Sequence, residues 1–144
     1  APIGWVLSAL GAFPVTRGSA DREALKRCIA VLEAGEPLVL FPEGTRQSGP
    51  IVQPLFDGAA YVAVKAGVPI IPVGIGGSER VMPKGSKMIY PRKCVLVVGE
   101  PIIAAMDETG RVPRSAVKDV TSRLYEDLQR LFDEAQRLAG TPNG

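Results

Sequence analysis

Leu38-Val39-Leu40-Phe41-Pro42-Glu43-Gly44-Thr45-Arg46 is the stretch on which the fold turns. Four large apolar residues in a row, with no polar alternation, predict a strand buried on both faces, as in α/β sheets. Pro42 ends the run, which passes at once into a polar loop made pliable by Gly44. Loops at the carboxyl ends of buried strands are where α/β proteins gather ligands. A strand tip has no structural need for Glu43 and Arg46 set three positions apart. In one reading Arg46 grips a phosphate through its planar fork while Glu43 orients a donor or the loop itself. In the other, Glu43 and Arg46 form a self-satisfied pair within the turn. The two are compatible, because a paired arginine still binds anions.

Upstream, Gly11 to Val15 reads as a short strand arriving at Thr16-Arg17-Gly18. Ser19 is a natural N-cap, and Asp21 and Glu23 fall in the first turn, where the helix dipole favours acids. Leu25, Cys28, Ile29 and Leu32 recur at helical spacing, with Gly35 as the closing residue and Pro37 beyond it. Arg17 beside the free amides of that helix start would make an anion site; the alternative is an ordinary solvated arginine. Downstream, a helix is expected over Gly58 to Ala66, closed by Gly67. Val68 to Ile75 reads as a strand whose Pro69 and Pro72 imply an edge position or an irregularity. Gly76 to Lys93 is a long loop, and Cys94 to Val98 is a further strand. Val117, Val120, Leu124, Leu128, Leu131, Ala135 and Leu138 hold one apolar stripe on a long amphipathic helix stopped by Gly140 and Pro142. Strands alternating with helices predict an α/β fold, a mostly parallel or mixed sheet flanked by helices on both faces. The ligand-binding loops would then follow Val15, Phe41 and Ile75.

Composition bounds the rest. At 144 residues, 46% hydrophobic and 22% charged with net charge +2, the chain suits a single α/β domain over 1–144 and is too apolar for disorder. Its 16 glycines and 13 prolines follow no period, which argues against a solenoid or a collagen-like chain. Cys28 and Cys94 form no metal spacing and no disulfide framework, and buried reduced thiols are expected. There is no histidine, so the commonest general base and metal ligand is missing. No run of about 20 apolar residues exists to cross a bilayer. The opening Ile3 to Leu10 is expected to form a short helix against a core or a membrane interface.

The hexapeptide Phe41 to Arg46 resembles the third sequence block of the lysophosphatidic acid and glycerophosphate acyltransferase family. Gly11-Ala12-Phe13-Pro14-Val15-Thr16-Arg17 is similar to the second block, and Val68-Pro69-Ile70-Ile71-Pro72-Val73 to the fourth. The third block is specific, while the other two carry weight only in order with it. The resemblance implies transfer of a fatty acyl group from acyl-CoA or acyl-ACP, as co-substrate with no bound cofactor and no metal, to 1-acyl-glycerol 3-phosphate, giving phosphatidic acid. A related acceptor (glycerol 3-phosphate, a lysolipid or a glycolipid) is the alternative within the class, and a non-catalytic phosphate- or lipid-binding module is the alternative outside it. By the same likeness Arg17, Glu43, Gly44, Thr45 and Arg46 would bind the phosphate-bearing acceptor, and Pro69 and Pro72 would shape the pocket wall. Two positions depart from the pattern. Thr16 stands where many relatives have Asp, and Asp57 lies where many have a lysine.

The family's first block, a His-x4-Asp dyad, is absent from this chain, so no catalytic base is assigned here. In that dyad histidine takes the proton of the attacking hydroxyl and aspartate fixes its tautomer. The expectation is an acyltransferase domain without its N-terminal part, inactive as these 144 residues alone and prone to self-association through uncovered apolar surface. Finally, Arg80, Lys84, Lys87, Arg92 and Lys93 stand against one acid, Glu79, between positions 77 and 93, with Met82, Met88, Ile89 and Tyr90 interleaved. This mixture suits the anionic face of a membrane, and equally the phosphates of coenzyme A or the acidic face of acyl carrier protein. The plain alternative is a solvated loop with its apolar residues tucked inward. Peripheral attachment to the cytoplasmic face of the cell membrane is expected. Nucleic acid is not, because aromatic stacking platforms are scarce.

Overall fold

The computed structural model describes residues 22–44, 47–83, 85–104 and 106–143. In chain order these form α1 (Arg22–Glu33), α2 (Gly58–Ala66), β1 (Val73–Gly76), α3 (Ser78–Val81), β2 (Val95–Val98) and α4 (Arg114–Ala139). α1 buries Ala24 and Cys28, one helical turn apart, and half-buries Leu25 and Ile29 beside them. α2 is made of small and β-branched residues and buries Ala60, Val62, Ala63 and Val64, so it packs on more than one side. Gly67 and Gly140 close α2 and α4 in the left-handed conformation, as their places in the sequence predict.

Ala60 and Val64 of α2 meet Val117, Val120 and Leu124 of α4 and Ile102, forming the main core, with Leu55, Ile70 and Leu128 around it. The inward face of α4 matches its predicted stripe through Val117, Val120, Leu124, Leu131 and Ala135. Its last turn differs. Leu138 is 43% exposed, whereas Gln136 and Ala139 are buried. The cause is the sheet beneath, described next.

β1 and β2 pair antiparallel, Val73 opposite Val98 and Gly76 opposite Val95. Pro72 delays the ladder: Ile70 makes only an isolated bridge to Ile102, and regular pairing starts at Val73. The irregularity predicted from the two prolines is therefore present. α4 lies directly on one face of this ribbon, because β1 offers it glycines. A Cβ on Gly76 would collide with the carbonyl of Ala135 and stand 2.6 Å from the amide nitrogen of Gln136. On Gly74 it would collide with the carbonyl of Leu131 and stand 2.7 Å from the Phe132 nitrogen. Two residues of strand advance about 6.8 Å and four of helix about 6 Å, so the two glycines and the two helical turns stay in step.

Three expectations are corrected. Leu38 to Phe41 is not a buried strand: no described strand lies beside it to complete a ladder, and Val39 and Phe41 are 79% and 72% exposed. Among the described residues the sheet is covered on one face only, and Val73, Ile75, Leu96 and Val98 remain exposed on the other. The thiol of Cys28 is buried and its pKa is pushed up by that burial, but Cys94 is exposed. The helix expected over Ile3 to Leu10 lies outside the described residues. No helix among those described is long and apolar enough to cross a membrane.

Candidate functional site

The loop at Pro42-Glu43-Gly44 is held from one side by the segment 50–57. Gly44 donates its N–H to the carbonyl of Phe41 at 3.0 Å, closing a tight turn. Pro42 accepts from the N–H of Phe56 at 3.0 Å, and the carboxylate of Glu43 accepts from the N–H of Gln53 at 2.8 Å. The ring of Phe56 lies over Gly44, where a Cβ would stand 2.6 Å from Cε2, on a residue whose φ is +73°. Only glycine satisfies both conditions. The Glu43 carboxylate thus ties this loop to segment 50–57.

Segment 50–57 is in turn fixed by α4. Gln129 accepts the N–H of Val52 at 2.8 Å and donates to the carbonyl of Pro50 at 3.0 Å. At its other end Asp57 receives the Thr121 hydroxyl at 2.9 Å and pairs with Lys118 at 3.0 Å. The order of support is therefore α4, then 50–57, then the Glu43 loop. Sequence reasoning missed Gln53, Phe56 and Gln129 as parts of this brace. Lys118, Thr121 and Gln129 lie at helical spacing beside the apolar stripe, and that spacing was the available signal. The departure at Asp57 also gains a reason: the acid ties the start of α2 to α4.

Hydrogen bonds from Lys118 first and Thr121 second hold the Asp57 carboxyl below its ordinary pKa of 3.8. A carboxyl depressed in the folded state adds stability above its unfolded pKa and loses it as the pH falls through the folded value. Both side chains are substantially exposed, so the pair contributes less than about 1 kcal/mol. Asp57→Asn is accordingly expected to change stability little at neutral pH and to flatten the acid limb below pH 3.8, measured by urea unfolding across that range.

The loop after β1 is anchored at the far end of α4. The buried Gln136 accepts the Gly77 N–H at 2.6 Å and donates to Glu79 at 3.1 Å. Arg80 donates to the carbonyl of Ala139 at 2.8 Å, and Lys93 to that of Leu138 at 3.1 Å. Cations suit a helix C-terminus, where carbonyls lack partners. Arg80 and Lys93 are thus brought together at α4, while Lys87 and Arg92 are exposed. Pro72 is fully buried next to Gly99, and Pro69 is exposed, so the two do not share one wall. Arg17, Thr45, Arg46 and Lys84 lie outside the described residues.

The family model described as Acyltransferase matches residues 1–76, a span that holds all three sequence blocks. The chain belongs to the acyltransferase family. This acyltransferase chain is 36% identical over 98 residues to a chloroplastic 1-acyl-sn-glycerol-3-phosphate acyltransferase of Brassica napus, covering 67% of this chain and 28% of that one. It is 34% identical over 136 residues to the 1-acyl-sn-glycerol-3-phosphate acyltransferase of Bacillus subtilis, covering 94% and 65%. The crystal structure of the 1-acyl-sn-glycerophosphate acyltransferase of Thermotoga maritima superimposes with a TM-score of 0.64 at 31% identity, over 77% of this chain and 43% of that chain. The predicted α/β acyltransferase fold is thereby established, and the chain spans between about a quarter and two thirds of these relatives.

Proposed function

We propose that the enzyme carrying this chain transfers a fatty acyl group from an acyl thioester, acyl-CoA or acyl-ACP, to the free hydroxyl of 1-acyl-glycerol 3-phosphate. The hydroxyl oxygen attacks the thioester carbonyl, the new C–O ester bond forms, and the C–S bond breaks. The proton leaves the hydroxyl, and the departing thiolate takes up a proton. The 144 residues contain no histidine, so the base of this reading belongs to polypeptide outside them. The task assigned to this chain is to hold the acceptor. Arg46 and Arg17 take its phosphate, bidentate binding being the guanidinium's particular strength.

The observation that carries the reading is the braced turn before Thr45 and Arg46, fixed by the Glu43 to Gln53 hydrogen bond within the family's matched span. A rigid approach to a charged residue is what orientation of a small anionic group requires. The names of the relatives support the same acceptor. The test is acyl transfer by the complete gene product to lysophosphatidic acid, glycerol 3-phosphate, an uncharged monoacylglycerol and a glycolipid. Lysophosphatidic acid is expected to give the highest kcat/KM. Equal use of the uncharged acceptor would overturn the reading.

A further inference from the structure

Between α3 and β2 the chain makes a short excursion whose tip turns three successive large side chains outward. Met88 is 63% exposed, Ile89 73% and Tyr90 41%. The plain alternative, in which these residues tuck inward, is not what the fold does. Nor is the segment loosely held. Ser86 donates its N–H to Pro83 at 2.9 Å, its hydroxyl oxygen accepts the Met88 N–H at 3.1 Å, and Tyr90 donates its N–H to Val81 at 2.7 Å. The N–H groups of Ser86, Met88 and Tyr90 are thus bonded within the excursion, while its apolar side chains are exposed. Lys87 precedes them and Arg92 follows, both exposed.

We propose that this tip, residues 87–92, is a membrane wedge: Met88 and Ile89 enter the acyl boundary of an anionic bilayer, Tyr90 sits at its interface, and Lys87 and Arg92 meet lipid phosphates. Apolar residues in a row suit a lipid surface, tyrosine prefers the interfacial layer, and flanking cations are drawn to anionic headgroups. The structure also sets the balance of forces. Arg80 and Lys93 are engaged by carbonyls of α4, which leaves Lys87 and Arg92 as the free cations among the described residues of the loop. Apolar insertion therefore outweighs charge. That balance favours a bilayer over an acidic protein surface. A bilayer accepts a protruding tip of any shape, whereas a stable protein interface needs about 1,000 Å² of matched surface. The inference is independent of which acceptor is acylated.

Flotation of the full chain with vesicles of phosphatidylcholine and phosphatidylglycerol in equal parts, and with phosphatidylcholine alone, tests it. Met88→Ser with Ile89→Ser is expected to lower vesicle partitioning at least about tenfold, since each buried side chain is worth over 1 kcal/mol. Lys87→Gln with Arg92→Gln should lower binding to anionic vesicles by roughly thirtyfold, at about 1 kcal/mol per cation, and leave neutral vesicles unaffected. All four side chains are exposed, so an unchanged melting temperature separates a binding defect from unfolding. Undiminished partitioning of the serine double variant would overturn the wedge. So would loss of binding to purified acyl carrier protein in these variants while vesicle binding persists, a result that would make the tip a protein-docking site.

Discussion

Gly76→Ala is expected to cost about 3 kcal/mol or more of stability, a large share of the roughly 5–15 kcal/mol by which an ordinary domain is stable. The added methyl would occupy the space of the Ala135 carbonyl, with the Gln136 nitrogen 2.6 Å away. Side chains escape an overpacked contact by turning to another rotamer, but helix backbone has no such recourse. Relief requires lifting α4 off β1, which breaks the packing of Leu131 and Ala135 and removes Gln136 from the Gly77 amide. A buried amide left without a partner adds a further penalty of about 1–3 kcal/mol. Gly58→Ala is the matched control. Its Cβ would meet Leu25 Cδ2 at 3.4 Å, an ordinary contact, and alanine is the better helix former, so the change should be neutral or mildly stabilising. Urea unfolding of both variants checks the contrast. Equal midpoints would mean that α4 does not rest on β1 as described.

Arg46→Ala, in the complete enzyme, is expected to lower kcat/KM for lysophosphatidic acid by roughly 10²- to 10³-fold, equivalent to about 3–4 kcal/mol of a lost charge-assisted, bidentate contact. Its melting temperature should change little, and residual transfer to an uncharged acceptor should be unaffected. Glu43→Gln supplies the comparison. The amide oxygen can still accept the Gln53 N–H that the carboxylate accepts at 2.8 Å, so activity should fall far less. Glu43→Ala, which removes the acceptor altogether, should lower activity more than Glu43→Gln. Parallel loss of stability and activity in Arg46→Ala would favour the reading in which that arginine merely pairs within its turn.

Local signals in the sequence were sufficient for α1, α2 and α4, whereas α3 lies within the stretch read as a loop. The spacing of Val117, Val120, Leu124, Leu131 and Ala135 located α4, and the glycines at 67 and 140 marked where helices stop. The hexapeptide Phe41 to Arg46 likewise pointed to the family whose model matches the chain. What hydropathy concealed was long-range. Gly74 and Gly76 look like incidental members of an apolar strand, yet their missing side chains admit a helix from the far end of the chain. Arg80 and Lys93 count as surface charge until the carbonyls of Ala139 and Leu138 are seen beside them. Gln129 and Gln136 read as solvent-facing amides, because a polar side chain next to an apolar stripe has no distinctive signature. Leu38 to Phe41 misleads in the opposite sense: burial needs covering layers, and composition alone does not supply them.

The separation of 59 positions between Gly77 and Gln136 has a consequence during synthesis. When β1 and β2 leave the ribosome, the helix that seals them is still being translated. Until it emerges, the glycine-lined side of the ribbon is as bare as the side bearing Val73 and Leu96. Sealing of the ribbon is thus governed by loop closure over a long span, and the nascent hairpin is the segment most exposed to chaperones and to mispairing with neighbouring polypeptides.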